Sequence, residues 1–300
     1  MRKAKLLVDF SEVDGPAWSL GATVEIGRLL EGLLGTFYDV KASNGTLGYV
    51  YPHEIEMIEM GIQLIHGDCL EVMKEIPANS VDMILCDLPY GTTRNKWDAV
   101  IPLEPLWDQY NRVAKRNAAI VLTAQTPFDK VLGVSNLENL RYEWVWEKGN
   151  ASGHLNAKRA PMKAHENALV FYRAQPTYNP QMTEGHERKT SKRIGFSTNY
   201  GDQKMTSYDS TKRYPRSVQF FSSDKQKSPL HPTQKPVSLM EYFIKTYSNE
   251  GDVVLDNCMG SGTTGVACVN TGRKFIGIEK DETYYEVAKE RLRWNAKSPH

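Results

Sequence analysis

The sequence has few cysteines, no long apolar run and almost no net charge, and each absence excludes a class of protein. Its four cysteines, Cys69, Cys86, Cys258 and Cys268, form no C-x-x-C pair, which argues against a zinc site and a disulfide framework. No run of 18 apolar residues occurs, so no membrane span is predicted. Asp9 follows the first basic residues too early for a signal peptide. We therefore expect no bound metal and a reducing, intracellular compartment.

The net charge of +1 conceals an uneven distribution along the 300 residues. The segment 148–230 contains 15 basic and six acidic residues, a net charge of +9, whereas the remainder has 22 basic and 30 acidic residues, or −8. A basic segment within an acidic scaffold is typical of a phosphate-binding surface. The alternative is a set of solvated loops with no partner.

The chain divides into two parts by pattern. Up to residue 60, short β-favouring segments alternate with turn residues, and Asn44-Gly45 between YDVKAS and TLGYVY predicts a hairpin. We predict that residues 1–60 form a small β-barrel-like, SH3-like module. From residue 61 to 300, strands alternate with helices, which predicts a mainly parallel α/β sheet with helices on both faces. Residues 174–230 are polar and weakly periodic, and we predict irregular structure there.

A glycine-rich loop lies close to the C-terminal end. Gly260, Gly262 and Gly265 form G-x-G-x-x-G between a predicted strand, 252–255, and a predicted helix, 263–270. This layout is typical of a nucleotide-binding loop, and one interpretation is a nucleotide-dependent oxidoreductase. A dinucleotide fold requires a second βαβ half, however, and only one strand and one helix follow Gly265.

A second loop follows the predicted strand 81–86, where the sequence reads Asp87-Leu-Pro-Tyr-Gly91. An acid after a strand often serves as a turn or capping residue. Here a carboxylate, a rigid turn and an aromatic ring occur together, which suits binding of a flat ring that bears an amine. Because ligands bind at the carboxyl ends of strands in open α/β sheets, we expect this loop to face the glycine loop.

These motifs together resemble those of the amino-methylating DNA methyltransferases. DLPYG resembles their D/N/S-P-P-Y signature, VVLDNCMGSGTTGVAC their S-adenosyl-L-methionine (AdoMet) loop, FIGIEKD the next strand, and HPTQKP the segment before that loop. The resemblance covers residues 62–295, and the motif order is that of the β class. Residues 146–172 are similar to phage and prophage adenine methylases. The resemblance implies a Rossmann-like, circularly permuted, doubly wound methyltransferase domain over residues 61–300.

The resemblance also implies roles for individual residues. The catalytic set is Asp87, Leu88, Pro89 and Tyr90, with the Asp87 carboxylate and the Leu88 carbonyl accepting the two amine hydrogens and Tyr90 stacking on the base. Leu88 replaces the usual first proline, but the chemistry requires only its carbonyl, so we expect activity to be retained. The AdoMet-binding set is Asp68, Lys235, Asp256, Gly260, Ser261, Gly262, Thr263 and Glu279. Within it, Glu279 would bind the ribose and Lys235 the carboxylate end.

The basic segment is expected to contact double-stranded DNA. The predicted DNA-binding residues are Phe128, beside the flipped base, and Arg159, Lys163, Arg188, Lys189, Arg193, Arg213 and Arg216. The resemblance implies methyl transfer from AdoMet to N6 of adenine after base flipping, as in restriction–modification systems. N4 of cytosine is the alternative, and an inactive DNA-binding relative is a more distant one. A bacterial, host- or phage-encoded, cytoplasmic enzyme is expected, with a possible homodimer.

Overall fold

The computed structural model describes ten ranges of the chain: 2–5, 23–32, 35–42, 47–50, 61–92, 98–193, 196–197, 201–202, 206–222 and 234–297. Four N-terminal strands, β1 (Arg2–Lys5), β2 (Thr23–Gly32), β3 (Gly35–Ala42) and β4 (Leu47–Val50), form an antiparallel sheet in sequential order. The predicted Asn44-Gly45 turn lies outside the described residues, but the strands on either side of it, β3 and β4, pair as a hairpin requires. An SH3-like closure of this sheet stays a prediction.

Strands and helices alternate through the rest of the chain. The further strands are β5 (Ile62–His66), β6 (Val81–Asp87), β7 (Ala114–Ala124), β8 (Leu140–Ser152), β9 (Lys163–Phe171), β10 (Lys189–Arg193), β11 (Phe196–Ser197), β12 (Gly201–Asp202), β13 (Thr206–Ser210), β14 (Val218–Phe221), β15 (Val253–Asp256) and β16 (Lys274–Glu279). The helices are α1 (Cys69–Glu75), α2 (Leu103–Val113), α3 (Phe128–Ser135), α4 (Val237–Tyr247), α5 (Thr263–Asn270) and α6 (Glu282–Lys297). None of the helices among the described residues has the length and apolar character needed to cross a membrane.

Eight strands form one mixed sheet, in the order β14-β8-β9-β7-β6-β15-β16-β5. All neighbouring pairs are parallel except those of β9, which runs antiparallel to β7 and β8. The chain leaves β6 for β7 on one side and leaves β15 for β16 on the other. The β6–β15 boundary is therefore a topological switch point, where open α/β sheets bind their ligands.

The core has two layers, one on each face of the sheet, because the side chains of a buried strand alternate between faces. On β6, Met83 and Leu85 join the layer that contains Leu239 of α4 and Leu292 of α6. Ile84 and Cys86 join the opposite layer, which contains residues of α1, α2 and α3. The predicted arrangement of helices on both faces is confirmed.

The segment predicted as irregular contains more order than its sequence pattern suggests. β10 pairs with β13 and β11 with β12 in two small antiparallel sheets. β14 pairs in parallel with β8 and extends the main sheet by one strand. Such two- to five-residue strands are too short to show a reliable period of two in sequence. The helix α3 was also not predicted.

Candidate active site

Two loops from neighbouring strands meet at the carboxyl edge of the sheet, as the sequence analysis predicted. The loop after β6 begins at Asp87, the loop after β15 begins at Asp256, and both line one cavity of about 830 Å³. Glu279, at the end of β16, and Asp68, just after β5, line the same cavity. The parallel pairing of β6 with β15 is what brings the two loops together.

Three side chains hold the carboxylate of Asp87. Its Oδ1 accepts hydrogen bonds from the Tyr90 hydroxyl at 2.6 Å and the Thr123 hydroxyl at 2.5 Å. Its Oδ2 accepts from the Lys235 ammonium at 2.5 Å. Thr123 is the register partner of Asp87 on β7, so the sheet itself supplies one of these contacts. A carboxylate held from three directions is oriented for recognition of an amine.

Lys235 also belongs to a series of buried side chains of alternating charge, which runs from Asp87 through Lys235 and Glu166 to Lys148. Its Nζ lies 3.2 Å from Glu166 Oε2, and Glu166 Oε1 accepts a hydrogen bond from Lys148 Nζ at 2.5 Å. Burial lowers the pKa of Lys235, but Asp87, Tyr90 and Glu166 raise it more, and the result stands well above its ordinary value. Burial raises the pKa of Glu166, yet Lys235 and Lys148 bring it below its usual range. Lys235 and Glu166 therefore both carry their charges in the folded protein.

The position of Lys235 differs from the one expected for a residue that binds the carboxylate end of AdoMet. Its side chain is 6% exposed, and its ammonium is occupied by Asp87 and Glu166. A contact with the cofactor stays a prediction. Sequence reasoning missed Thr123, Glu166 and Lys148 as members of the site. The glutamate in the otherwise apolar segment ENALVF was the available signal.

Tyr90 and Phe128 stack on each other at the edge of the site, with ring centroids 5.4 Å apart and planes 25° apart. The Lys235 ammonium lies 5.4 Å from the centroid of the Tyr90 ring. Burial and the charge of Asp87 raise the pKa of the Tyr90 hydroxyl well above its ordinary value, so it remains a donor. Phe128, the first residue of α3, is 5% exposed and packs in the core layer, and it does not line the cavity. Its predicted contact with the flipped base stays a prediction.

The backbone after Tyr90 is fixed by a buried acid. Asp98 accepts hydrogen bonds from the amides of Gly91 and Thr92, both at 2.9 Å. Asp98 and Thr92 also line the cavity. This pair of contacts holds the end of the catalytic loop. No feature of the sequence around Asp98 marked it in advance.

The AdoMet loop is held by its own acid. Asp256 Oδ1 accepts from the Cys258 amide at 3.1 Å, and Oδ2 accepts from the Thr264 hydroxyl at 2.6 Å. Burial raises the pKa of Asp256 to about 6, despite these hydrogen bonds. Asn257, at the usual proline position, is buried and accepts a hydrogen bond from the Tyr110 hydroxyl at 2.5 Å. Asp256 therefore orders the AdoMet loop through its hydrogen bonds with Cys258 and Thr264.

Glu279 and Asp68 reach the cavity from the neighbouring strands. Glu279 Oε2 accepts from the Gly260 amide and Oε1 from the Asp281 amide, both at 2.8 Å. Each oxygen keeps a free lone pair for a further donor such as a ribose hydroxyl. Asp68 caps α1 through the Leu70 amide and binds Lys280 at 3.0 Å. Lys280 is the first cause of the lowered pKa of Asp68.

Ser261 and Thr263 are engaged by a residue that the sequence analysis did not consider. Arg291 Nη1 donates to the Ser261 carbonyl and hydroxyl at 3.1 and 3.2 Å and to the Thr263 hydroxyl at 3.0 Å. Both residues line the cavity. Their roles toward the cofactor stay predictions, and Arg291 of α6 is positioned to hold the first turn of α5.

The glycines of the loop have different functions. Gly260 and Gly262 have φ values of 52° and 77°, in the left-handed region that favours glycine. Gly265 lies inside α5, where an added Cβ would lie 2.7 Å from Phe275 Cε1 and 2.9 Å from Leu292 Cδ1. Gly265 thus serves close packing of α5 against Phe275 of β16 and Leu292 of α6.

The residues around the cavity fit AdoMet. Gly260 lines the cavity with a positive φ and leaves the backbone bare there, and Glu279 offers acceptors for two hydroxyls. Gly262 does not line the cavity, and an added Cβ would lie 3.0 Å from Ala288 Cβ, so its predicted cofactor contact stays a prediction. Gln234 lines the cavity, and its buried Oε1 has no hydrogen-bond partner among the described residues. A buried acceptor of this kind suits a donor supplied by a ligand, such as an ammonium group.

The predicted DNA-binding residues fall into two groups. Arg159, Lys189 and Arg216 are exposed, and Lys163 reaches Gln125 at the cavity. Arg188 makes a two-pronged ion pair with Asp209, and Arg213 donates to the carbonyls of Ser210, Lys212 and Glu187. The last two guanidinium groups therefore stabilise the basic segment itself. The side chain of Arg193 lies outside the described residues, and DNA contact by the whole set stays a prediction.

The four cysteines are all free, and three of them are buried, whereas Cys258 is half-buried beside the cavity. Burial raises the pKa of the Cys86 thiol to about 12, so Cys86 is not a thiolate nucleophile despite its position next to Asp87. Within the described ranges, no group of three or more His, Cys, Asp or Glu side chains is placed to hold a metal ion.

Fold and site together define an AdoMet-dependent methyltransferase of the α/β class. The profile of the DNA methylase family, which covers N6 and N4 enzymes, matches residues 81–290. The chain belongs to this family of amino-methylating DNA methyltransferases, and its cofactor is AdoMet.

Similar proteins agree with this assignment. The chain is 30% identical to the DNA adenine methyltransferase YhdJ of Escherichia coli K12 over 249 residues, which cover 76% of this chain and 82% of YhdJ. It is 27% identical to the type II methyltransferase M.HinfI of Haemophilus influenzae over 263 residues, 77% of this chain and 68% of M.HinfI. The solved M1.HpyAVI–SAM complex superposes with a TM-score of 0.56 at 28% identity, covering 77% of this chain and 98% of that one.

Proposed function

We propose that this enzyme transfers a methyl group from AdoMet to the exocyclic N6 of adenine in duplex DNA, after the base has left the helix. The observation that carries the proposal is the single cavity lined by Asp87 and Tyr90 on one side and by Gly260 and Glu279 on the other. A donor bound against the glycine loop and an amine bound at Asp87 would therefore share one enclosed space.

The chain's own residues would orient the amine. When bound, AdoMet supplies a methyl group that its sulfonium charge already activates. The Asp87 carboxylate and the Leu88 carbonyl would accept the two amine hydrogens, which favours a pyramidal nitrogen with its lone pair directed at the donor. Tyr90 lines the cavity and would stack on the extruded base, because an amine inside the duplex is out of reach, and Phe128 supports the Tyr90 ring from the core. The base would displace the Tyr90 hydroxyl from Asp87 Oδ1 as it enters.

Asp87 would also receive the proton that the methylated nitrogen releases. Behind Asp87, the side chains of Lys235, Glu166 and Lys148 alternate in charge. Each charge in this series therefore lies next to a charge of opposite sign. Lys235 would act through Asp87, as a positioning residue. Its ammonium competes with a proton for Oδ2, so the carboxylate stays an acceptor before transfer.

Adenine is favoured over cytosine for two reasons. An aspartate stands at the first position of the signature, as Asp87, and this choice accompanies adenine more often than cytosine in the family. The relative YhdJ, a DNA adenine methyltransferase, agrees with this choice. N4 of cytosine is the alternative, because the family includes both activities.

We further propose a division of labour along the chain. Residues 1–60 would form a small SH3-like barrel, and residues 61–300 the catalytic domain, with DNA recognition in the segment 148–230. The late position of the AdoMet loop supports a circular permutation, because β6 with Asp87 precedes β15 with Asp256 in the chain. A homodimer, a phage origin and action in the bacterial cytoplasm, where the DNA lies, belong to the same proposal.

A methylation assay with labelled AdoMet tests the proposed activity. We expect wild-type protein to label DNA, Asp87→Ala to lose at least about a thousandfold in rate, and Asp108→Ala, an exposed acid on α2, to match the wild type. Mass spectrometry of nucleosides from expressing cells identifies the base. N4-methylcytosine without N6-methyladenine would overturn the adenine assignment, and no labelling by wild type would overturn the activity.

A further inference from the structure

Leu155 is the most exposed large apolar side chain among those described, at 93%. It lies in a 3₁₀ turn, His154–Asn156, at the tip of the hairpin that joins β8 to β9. A leucine so exposed buries almost none of its apolar surface, so it contributes little to the stability of the free protein. A single exposed leucine is common on protein surfaces, so a partner is indicated here only by the position and the charge of the tip.

The turn that presents Leu155 is ordered by its own backbone. The Asn156 amide donates to the Gly153 carbonyl at 2.9 Å, and the Ala157 amide donates to the His154 carbonyl at 3.2 Å. The amides of Arg159 and Ala160 both donate to the Asn156 carbonyl, at 2.9 and 3.0 Å. Leu155 is thus held out on a compact turn, which lowers the entropy cost of inserting it into a partner.

The hairpin tip adjoins the active-site cavity. Asn150, Ala151 and Ser152, at the end of β8, line the cavity together with Asp87 and Tyr90. Leu155 follows Ser152 by three residues, so its Cα lies within about 11 Å of that wall. A base that enters the cavity would therefore leave its duplex close to the tip.

The charge around the tip suits nucleic acid. From Lys148 to His165 the sequence contains no acidic residue and four basic ones, Lys148, Lys158, Arg159 and Lys163. Lys158 and Arg159 lie three and four residues after Leu155 and are exposed. The basic residues of such a hairpin could contact phosphates on both sides of a DNA groove while its apolar tip points into the groove.

We propose that Leu155 inserts into the base stack of the DNA and fills the space that the target base vacates. Apolar side chains, leucine among them, are used as wedges between base steps, and the unstacking they cause lowers the cost of base extrusion. The inference rests on the proposed function, since it assigns Leu155 a part in delivering the base to Asp87. Leu155 is a positioning residue, and it touches the duplex rather than the reacting atoms.

The recognition motif is first mapped by sequencing methylated DNA from cells that express the wild type. The test then compares two duplexes that contain this motif. In one duplex the target base is paired; in the other it lies opposite an abasic site and is already unpaired. We expect Leu155→Ala to lose at least tenfold in kcat/KM on the paired duplex and less than twofold on the unpaired one. Leu155→Met should retain most activity on both.

Leu137→Ala is the matched control, because Leu137 is also an exposed leucine, at 66%, but precedes β8. The strand separates the two positions by about 40 Å. We expect Leu137→Ala to behave as wild type on both duplexes, and all three variants to keep the wild-type Tm. Equal losses of kcat/KM by Leu155→Ala on both duplexes, or no loss on either, would overturn the proposal that Leu155 acts as a wedge. Absence of methylation by wild type would instead remove the proposed function.

Discussion

The ammonium of Lys235 lies 2.5 Å from Asp87 Oδ2, although the two residues are 148 positions apart in the chain. This contact joins the catalytic loop to the segment that precedes α4, and it orients the carboxylate that would receive the amine. Because Lys235 also contacts Glu166 at 3.2 Å, its charge is shared by two acids. Removal of Lys235 would leave Asp87 without its cationic partner and Glu166 paired with Lys148 alone.

Replacement of Lys235 by methionine should separate a positioning role from a cofactor-binding role. We expect kcat to fall by about a hundredfold, while the KM for AdoMet changes less than threefold, since the ammonium acts through Asp87. Breaking a buried ion pair from one side costs about 3–5 kcal/mol, and thermal unfolding should show the loss. Lys235→Arg, which keeps the charge, should recover part of kcat.

The contrary result for Lys235 is equally specific. A large rise in the KM for AdoMet with kcat preserved would place the ammonium on the cofactor, as the sequence analysis first predicted. Lys289→Met is the control, because Lys289 lies on α6, is half-buried, and pairs with Glu286 outside the cavity.

Tyr90 provides a test of stacking against hydrogen bonding. Its ring stacks on Phe128, and its hydroxyl donates to Asp87. We expect Tyr90→Phe to change kcat/KM less than about fivefold, because the ring remains and one hydrogen bond contributes only about 1 kcal/mol. Tyr90→Ala should lose about ten- to a hundredfold, since base–aromatic stacking contributes about 1–3 kcal/mol and the hydrogen bond is lost as well. Similar losses in both variants would show that the hydroxyl is the important group.

The parts of this site that could be predicted were those encoded in short segments. The strand before Asp87, the strand before Asp256 and the acid Glu279 each lie within a local pattern of apolar residues and turn residues. Their meeting follows from one rule, that parallel strands expose their carboxyl ends at the same edge. The sequence therefore sufficed to place the two loops opposite each other.

The charge chain behind Asp87 could not be predicted in the same way. Thr123, Glu166 and Lys235 come from β7, β9 and the segment before α4, and no local pattern relates them. Contacts of that kind depend on the register of distant strands and on side-chain packing. For the same reason, the ion pair that occupies Arg188 was not visible in the basic segment, where every arginine looked available for phosphate.

Glu279 is predicted to determine cofactor affinity. It lines the cavity, and its carboxylate holds the Gly260 amide of the AdoMet loop. We expect Glu279→Ala to raise the Kd for AdoMet by ten- to a hundredfold in isothermal titration calorimetry, because both a ligand contact and a loop contact are lost. Glu286→Ala, an exposed acid on α6, should leave the Kd unchanged. An unchanged Kd in Glu279→Ala would refute the assigned role.

Two helical glycines give a matched test of packing. At Gly265 an added Cβ would lie 2.7 Å from Phe275, whereas at Gly133 of α3 the nearest atom, Leu140 Cδ2, is at 3.5 Å. We expect Gly265→Ala to lower the free energy of unfolding by about 1–3 kcal/mol through overpacking. Gly133→Ala should be neutral or stabilising by up to about 1 kcal/mol, because alanine favours a helix. Urea denaturation measures both, and equal effects would contradict the packing role of Gly265.

The buried acid of the AdoMet loop should make stability depend on pH. Burial raises the pKa of Asp256 to about 6 in the folded protein, against 3.8 as the ordinary value. Between these values the folded state holds a proton that the unfolded state has released, so stability falls as pH rises. The contribution is fully present below about pH 4 and is lost once the pH has passed 6. Two pKa units correspond to about 3 kcal/mol.

Comparison with Asp256→Asn isolates this contribution from the other titrating groups. The free energy of unfolding of wild type, minus that of the variant, should decrease by about 3 kcal/mol from pH 4 to pH 8, because asparagine does not titrate. Urea denaturation at several pH values provides the measurement. A difference that stays constant, or one that increases with pH, would mean that burial does not raise the pKa of Asp256. The hydrogen bonds from Thr264 and the Cys258 amide would then dominate its environment.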